Sequence, residues 1–164
     1  MLLFMKIQFH YQTVYGMLSI TEEHNTIIMV SVCDTYKDCG NDYVQRETPL
    51  ITAVYQQMME YFTGQRTNFQ LPLASKGTAF QQKVWRALQM IPYGETRSYL
   101  QLAEVIGNPK ACRAVGMSNP YNPIAIIIPC HRMIGVNGAL VGYAGGLSLK
   151  KQLLDLEKRI KMQN

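Results

Sequence analysis

The chain has 164 residues, 48% of them apolar and 16% charged, with a net charge of +5. That is the size and mix of a soluble globular protein with one substantial domain or two small ones. No apolar run approaches the roughly 18 residues that a membrane span requires, so no membrane partner is expected. The charge is unevenly placed: residues 1–74 hold 4 Lys/Arg against 7 Asp/Glu, a net of −3, and residues 75–164 hold 12 against 4, a net of +8.

The opening Met-Leu-Leu-Phe-Met-Lys lacks the positive leader, apolar core and cleavage site of a secretory signal, so an intracellular, cytoplasmic protein is expected. Its four cysteines, Cys33, Cys39, Cys112 and Cys130, are then expected to be reduced. Cys33 and Cys39 with His10 and His24 fit no compact ligand spacing, and no metal is expected.

Three β segments come first: Ile7-Gln8-Phe9, Met17 to Ile20, and Ile27 to Val32, punctuated by Gly16 and by Glu22–Asn25. Their alternation predicts a small antiparallel meander. Residues 34–47 are polar and read as loop. Thr48-Pro49 reads as the cap and first turn of a helix with Ile51, Val54, Tyr55, Met58 and Phe62 on one face, closed by Gly64. Residues 65–76 read as a linker, giving a front domain of 1–74 and a second domain of 75–164.

The second domain is predicted to be helical. Thr78 with Gln81 forms a capping box before the stripe Phe80, Val84, Ala87, Leu88 and Ile91, and Pro92-Tyr93-Gly94 stops that helix. Ser98 with Gln101 opens a short helix ending at Gly107; Asn108-Pro109 starts another, which Asn119-Pro120 ends. Two short helices joined by a tight Gly-Asn turn are a helix-turn-helix pattern. The second helix carries Lys110 and Arg113 beside the small residues Ala111, Cys112 and Ala114, a set suited to close approach to a duplex. With the +8 half, this points to a nucleic acid; the competing readings are a plain packing unit, and Lys150, Lys151, Lys158 and Lys161 as the wet face of a terminal helix. That last helix starts near Ser148, with Leu149, Leu153, Leu156 and Ile160 facing inward.

The run Ile126 to Arg132 carries the chemistry. A buried strand-like segment ends in Pro-Cys-His-Arg, placing a thiol, a potential base and a cation together where neighbours favour the thiolate. His131 is the candidate base for Cys130 and needs an orienting carboxylate. Glu157 falls on the border of the buried stripe of the last helix and is one candidate; pairing with Lys161 at the i, i+4 spacing is the alternative, and the spacing does not decide between them. Cys112 reads as a packing residue.

Pro-Cys-His-Arg after Asn-Pro and a run of isoleucines, followed by Gly-Tyr-Ala-Gly-Gly-Leu (142–147) and Leu-Leu-Asp-Leu-Glu (153–157), resembles the O6-alkylguanine-DNA alkyltransferase family. Upstream, Phe80 to Trp85, Ile-Pro-Tyr-Gly-Glu (91–95), Ser98-Tyr99 and Arg113 to Gly116 extend the likeness over nearly all of 78–157. The resemblance implies an α+β protein: a small N-terminal antiparallel sheet with a helix, ribonuclease H-like, and a C-terminal all-α winged-helix or helix-turn-helix domain. It implies a monomer that binds double-stranded DNA carrying O6-alkylguanine, flips the damaged base out, and uses no cofactor. An alkyl group would pass irreversibly from guanine O6, less readily from thymine O4, to Cys130.

By position, His131 would act as base through water and Glu157 would orient it. Arg113 would enter the base stack, and Tyr99 would crowd the adjacent phosphate and donate to the guanine ring. Asn122 would brace the turn that holds the cysteine. The carbonyls of Cys130 and Met133 would accept from the base, and the Ala144 amide would face O6. Met117-Ser118-Asn119 is bulkier than the family's usual glycines and alanines. Two other readings compete. A non-catalytic binding module for alkylated DNA would dispense with the thiol. A cysteine hydrolase would need an oxyanion hole that the sequence does not display.

Overall fold

The structure, a computed structural model, describes residues 5–35 and 42–164. Cys39 and residues 36–41 of the polar stretch lie outside the described part. Contacts divide the chain into two compact units: one runs to Lys76 and takes in Pro123–Ala125, and the other comprises Gly77–Asn122 and Ile126–Asn164.

In the first unit, β1 (Lys6–Thr13), β2 (Gly16–Glu23) and β3 (Thr26–Cys33) form the antiparallel meander that the alternation predicts. Phe9 lies opposite Ile20, and Ile20 opposite Val30, so one apolar row crosses three strands. The β2–β3 turn holds His24 and Asn25 at φ 51° and 58°, the left-handed conformation that tight hairpins require. A short strand, β4 (Tyr43–Gln45), pairs parallel with β1 and completes the order β3-β2-β1-β4. Part of the stretch read as loop therefore forms a sheet edge. Single bridges tie Leu73 to Ile27 and Ile124 to Val30, so the end of the expected linker is docked on β3.

Helix α1 (Pro49–Phe62) begins at Thr48, whose hydroxyl accepts from the Ile51 amide at 3.0 Å and donates to the Glu22 carboxylate. Ile51, Val54, Met58, Tyr61 and Phe62 are buried with Leu18, Ile20, Val30 and Val32 as the core of this unit. Tyr55, expected on the same face, is half-buried and stacks on Tyr11 at 4.0 Å.

The second unit contains α2 (Ala79–Leu88), α3 (Tyr99–Val105), α4 (Cys112–Ser118) and α5 (Leu147–Gln163). Both capping boxes form, at Thr78/Gln81 and at Ser98/Gln101. Gly107, at φ +79°, turns the chain between α3 and a single 3-10 turn (Pro109–Ala111) that leads into α4. Trp85, fully buried, donates its indole N–H to the Ser118 carbonyl and fixes the end of α4 against α2.

Three features depart from the sequence reading. The second unit is not purely helical: β5 (Arg97–Ser98) pairs in parallel with β6 (Met133–Ile134). The isoleucine run is not a strand, because Ile126 sits at φ +72°, a conformation that β-branched residues avoid at a cost of roughly 1–3 kcal/mol. Lys150, which the reading that competes with a nucleic-acid partner puts on a wet face, is fully buried.

Candidate active site

The isoleucine run breaks at Ile126 and delivers the cysteine through two tight turns. Pro129 adopts φ −82° and ψ 63°, an inverse γ-turn in which the Cys130 amide donates to the Ile128 carbonyl at 2.8 Å. Cys130, His131 and Arg132 then form one 3-10 turn that passes directly into β6. Because β6 pairs with β5, and β5 passes directly into the Ser98 cap of α3, the two-residue pairing sets Tyr99 beside the cysteine's own turn.

A cavity of about 390 Å³ opens there, lined among others by Cys130, Tyr99, Arg113, Met117, Val141 and Ala144. Its lining is predominantly apolar, as suits the face of a planar base. Arg113 and Met117 are exposed, one turn apart on α4. Cys112, read as packing, is half-buried and lines the same cavity.

Asn122 donates to the Ile128 carbonyl at 2.8 Å and to the Cys130 sulfur at 3.2 Å, so it both braces the turn and solvates the thiol. Burial pushes the Cys130 thiol up, against the pull of Asn122, of Lys150 and of nearby backbone amides. The resting group is therefore a thiol, where the sequence reading expected a thiolate. A base is needed to activate it.

Next to the cysteine in its turn, His131 is fully buried, and a 2.7 Å bond from its Nε2 joins it to Oε1 of the equally buried Glu157. Arg132 holds the same carboxylate through two bonds of 2.9 Å, and gives a third, of 2.7 Å, to the Ile91 carbonyl. The Gly94 amide adds 3.2 Å to Glu157; Gly94 is at φ +74°, so this turn suits glycine. Burial alone would push Glu157 up, but the bond from His131 and the Arg132 guanidinium pull it down to about 2. Burial pushes His131 down, so the imidazole is neutral at pH 7. A neutral ring donating Nε2–H to a carboxylate carries its lone pair on Nδ1. Lys161 pairs with Glu95 at 3.2 Å, not with Glu157.

Of the residues singled out from sequence, the cavity gathers Cys130, Tyr99, Arg113 and Ala144, and the buried cluster gathers His131 and Glu157. Met133 is fully buried in β6, and Lys110 is exposed before α4 with Ala111 buried beside it; none of the three lines the cavity. Sequence reasoning missed Arg132 as the carboxylate's charge partner, and Asn119, which donates to the Cys130 carbonyl at 3.4 Å. Arg132 had a signal, adjacency to His131. Among the described residues no group of three or more His, Cys, Asp or Glu could hold a metal ion, and no helix is long and apolar enough to cross a membrane.

Known proteins share both units. The family profile for the 6-O-methylguanine DNA methyltransferase DNA-binding domain matches residues 79–159, and that for its ribonuclease-like domain matches 9–75. The constitutive methylated-DNA–protein-cysteine methyltransferase of Bacillus subtilis is 46% identical over 152 residues, covering 90% of this chain and 92% of that one. The protein of that name from Mycobacterium tuberculosis is 42% identical over 152 residues, covering 91% and 92%. A crystal structure of Mycobacterium tuberculosis OGT in complex with DNA superposes with a TM-score of 0.86 at 40% identity, covering 94% of each chain. On these matches the chain belongs to the 6-O-methylguanine DNA methyltransferase family.

Proposed function

We propose that this protein repairs DNA by direct reversal, taking an alkyl group, typically methyl, from O6 of guanine in a duplex onto Cys130, and less readily from O4 of thymine. One observation carries the reading: Cys130 lines a predominantly apolar cavity beside an exposed arginine of a helix-turn-helix, and the next residue, a neutral histidine, is bonded to a buried carboxylate. The target atom lies inside the duplex, so the base must leave the stack to reach the sulfur. Arg113, exposed at the cavity, is placed to fill the gap it leaves. Residues 75–164 supply DNA binding and the acceptor; residues 1–74 act as a separate supporting domain.

The chemistry follows from the site. His131 Nδ1 takes the thiol proton through a water, and Glu157, held ionised by Arg132, stabilises the imidazolium that forms. The sulfur attacks the alkyl carbon in line; the S–C bond forms, the C–O6 bond breaks, and the electron pair passes to the purine. The Tyr99 hydroxyl, kept protonated because burial raises it, donates to the ring and is reprotonated from His131. The net result moves the thiol proton to guanine. No group in the site cleaves a thioether, so each molecule acts once, without a cofactor. A monomer working on chromosomal DNA in the reducing cytoplasm fits this chemistry.

The rival reading is a non-catalytic module for alkylated DNA. A cysteine opening on the cavity, followed at once by a candidate base, favours transfer. Incubation with a duplex oligonucleotide containing O6-methylguanine, followed by intact-mass measurement, separates the two. Transfer predicts a gain of one CH2 per molecule that saturates at stoichiometry; binding without mass gain, or multiple turnover, contradicts it.

A further inference from the structure

The buried face of α5 carries two charged residues two turns apart, Lys150 and Glu157, both fully buried. Glu157 has Arg132 as its counter-charge. Lys150 has none: among the described residues no carboxylate lies within ion-pair distance of it. Its neighbour Lys151 shows the ordinary arrangement, exposed and paired with Asp155 at 2.5 Å. Burying an ammonium without a carboxylate is costly, and a residue kept so is a candidate for function rather than stability.

The hydrogen bonds of Lys150 say what it does. Nζ donates to the carbonyls of Val141 at 3.0 Å and Gly142 at 3.3 Å. These belong to the 141–144 stretch, all four residues of which line the Cys130 cavity. The stretch lies outside helix and strand, and Val141, Gly142 and Ala144 are exposed. One local backbone bond, from the Gly146 amide to the Tyr143 carbonyl at 3.0 Å, holds it, and its other anchors are Lys150 on α5 and the Tyr99 hydroxyl on α3, which donates to the same Val141 carbonyl at 3.3 Å. A wall this poor in backbone bonds is held by whatever grips its carbonyls.

We propose that Lys150 is a positioning residue of the transfer site: its buried ammonium latches the Val141–Ala144 segment in place as a wall of the Cys130 cavity. This rests on the reading of Cys130 as alkyl acceptor. The charge has a second effect. The titratable groups coupled to the thiol are Tyr99 from α3, Tyr143 from the wall and Lys150 from α5, and Arg113 from α4 lines the same cavity. Lys150 is buried, and its charge favours the thiolate, whereas Arg113 is exposed at the cavity.

The test compares wild type with Lys150→Met, which keeps the length of the stem and removes charge and donors, and with Lys151→Met as the exposed control. Two readouts need neither DNA nor lesion. Amide hydrogen exchange over 141–146 speeds up roughly tenfold in Lys150→Met. The pH midpoint for carbamidomethylation of Cys130 by iodoacetamide rises by about one unit. On a methylated duplex, the limiting single-turnover rate falls roughly tenfold while half-saturation stays within about twofold, and raising the pH restores part of the rate. Lys151→Met matches wild type throughout.

Unchanged exchange and an unchanged limiting rate in a folded Lys150→Met overturn the proposal. Should that variant not fold, Lys150→Leu, which also removes charge and donors, is read the same way, and wild-type exchange there overturns it. In wild type, Lys150 resists an amine-acylating reagent that labels Lys151; equal labelling also overturns it. If wild type itself gains no CH2 from the duplex while the loop and thiol readouts shift as stated, the latch stands and the acceptor reading fails.

Discussion

In the sheet unit the buried polar groups close on one another. Gln8 donates to Thr21 at 2.9 Å, and Glu22 accepts from the Thr48 hydroxyl that also caps α1. In the helical unit the buried polar groups converge behind one side of a cavity: His131 and Arg132 meet on Glu157, and Lys150 grips the cavity wall. The first arrangement satisfies a sheet and its helix and asks nothing of a ligand. The second accepts a buried carboxylate, a buried imidazole and two buried cations on the turn that carries one sulfur and on α5, more desolvated charge than packing requires. Polar burial in one unit serves stability, and in the other it prepares a reaction.

Substitutions break this contrast in order of size. Cys130→Ala leaves duplex binding intact and abolishes mass gain, because the atom that forms the bond is gone; any residual gain on the protein contradicts the assignment. Glu157→Gln removes the counter-charge of Arg132 and the negative charge that would stabilise a His131 imidazolium. We expect a loss of about 3–5 kcal/mol in stability, the usual effect of breaking a buried pair, read from the urea midpoint. The folded fraction should transfer roughly a hundredfold more slowly.

Arg113→Ala tests the DNA side alone. Repair of a duplex slows roughly a hundredfold, the equivalent of a few kcal/mol of flipping cost, while reaction with free O6-methylguanine base changes little. Equal losses on both substrates remove the role assigned to Arg113.

The pH dependence of stability follows from the same cluster. Glu157 is depressed from an ordinary 4.5 to about 2, so its contribution is present above about pH 4.5 and lost as pH falls toward 2. At about 1.4 kcal/mol per unit, that contribution is about 3 kcal/mol. His131, pushed below its ordinary 6.5 by burial, adds a loss in the same direction that begins as pH falls below 6.5. Urea midpoints in Glu157→Gln should lose the lower of these two steps and keep the upper.

The smallest effects sharpen the comparison best. Thr48→Ala and Ser98→Ala each remove a helix cap, costing about 1 kcal/mol. The Thr48 change lies in the sheet unit and should leave the transfer rate of folded molecules unchanged. The Ser98 cap directly precedes Tyr99, so its loss should also slow transfer.

Much of this was legible in the chain. Alternation gave the meander, Thr48-Pro49 gave α1, and the two capping boxes gave the starts of α2 and α3, because each signal is local and needs only neighbours in sequence. Cys130 and His131 stood out for the same reason. What stayed hidden depended on contacts far apart in the chain. The β5–β6 pairing is two residues long and joins positions 36 apart, too short for any periodicity. Ile126 at positive φ runs against its residue type, so an apolar run read as a strand became a turn. Lys150 followed the charge rule for a wet helix face, and only the carbonyls of residues 141 and 142 explain why it is buried. Glu157 could not be separated from a surface acid by spacing alone; the Gly94 amide and the Arg132 guanidinium decide it.

The central claim concerns which sulfur reacts, since two thiols, Cys112 and Cys130, line the cavity. Peptide mapping after a stoichiometric reaction with O6-methylguanine duplex answers it. The account predicts one CH2 on the peptide holding Cys130 and none on that holding Cys112, even with lesion in excess. Methyl on Cys112, or an unmodified Cys130 after the duplex has been repaired, would contradict it.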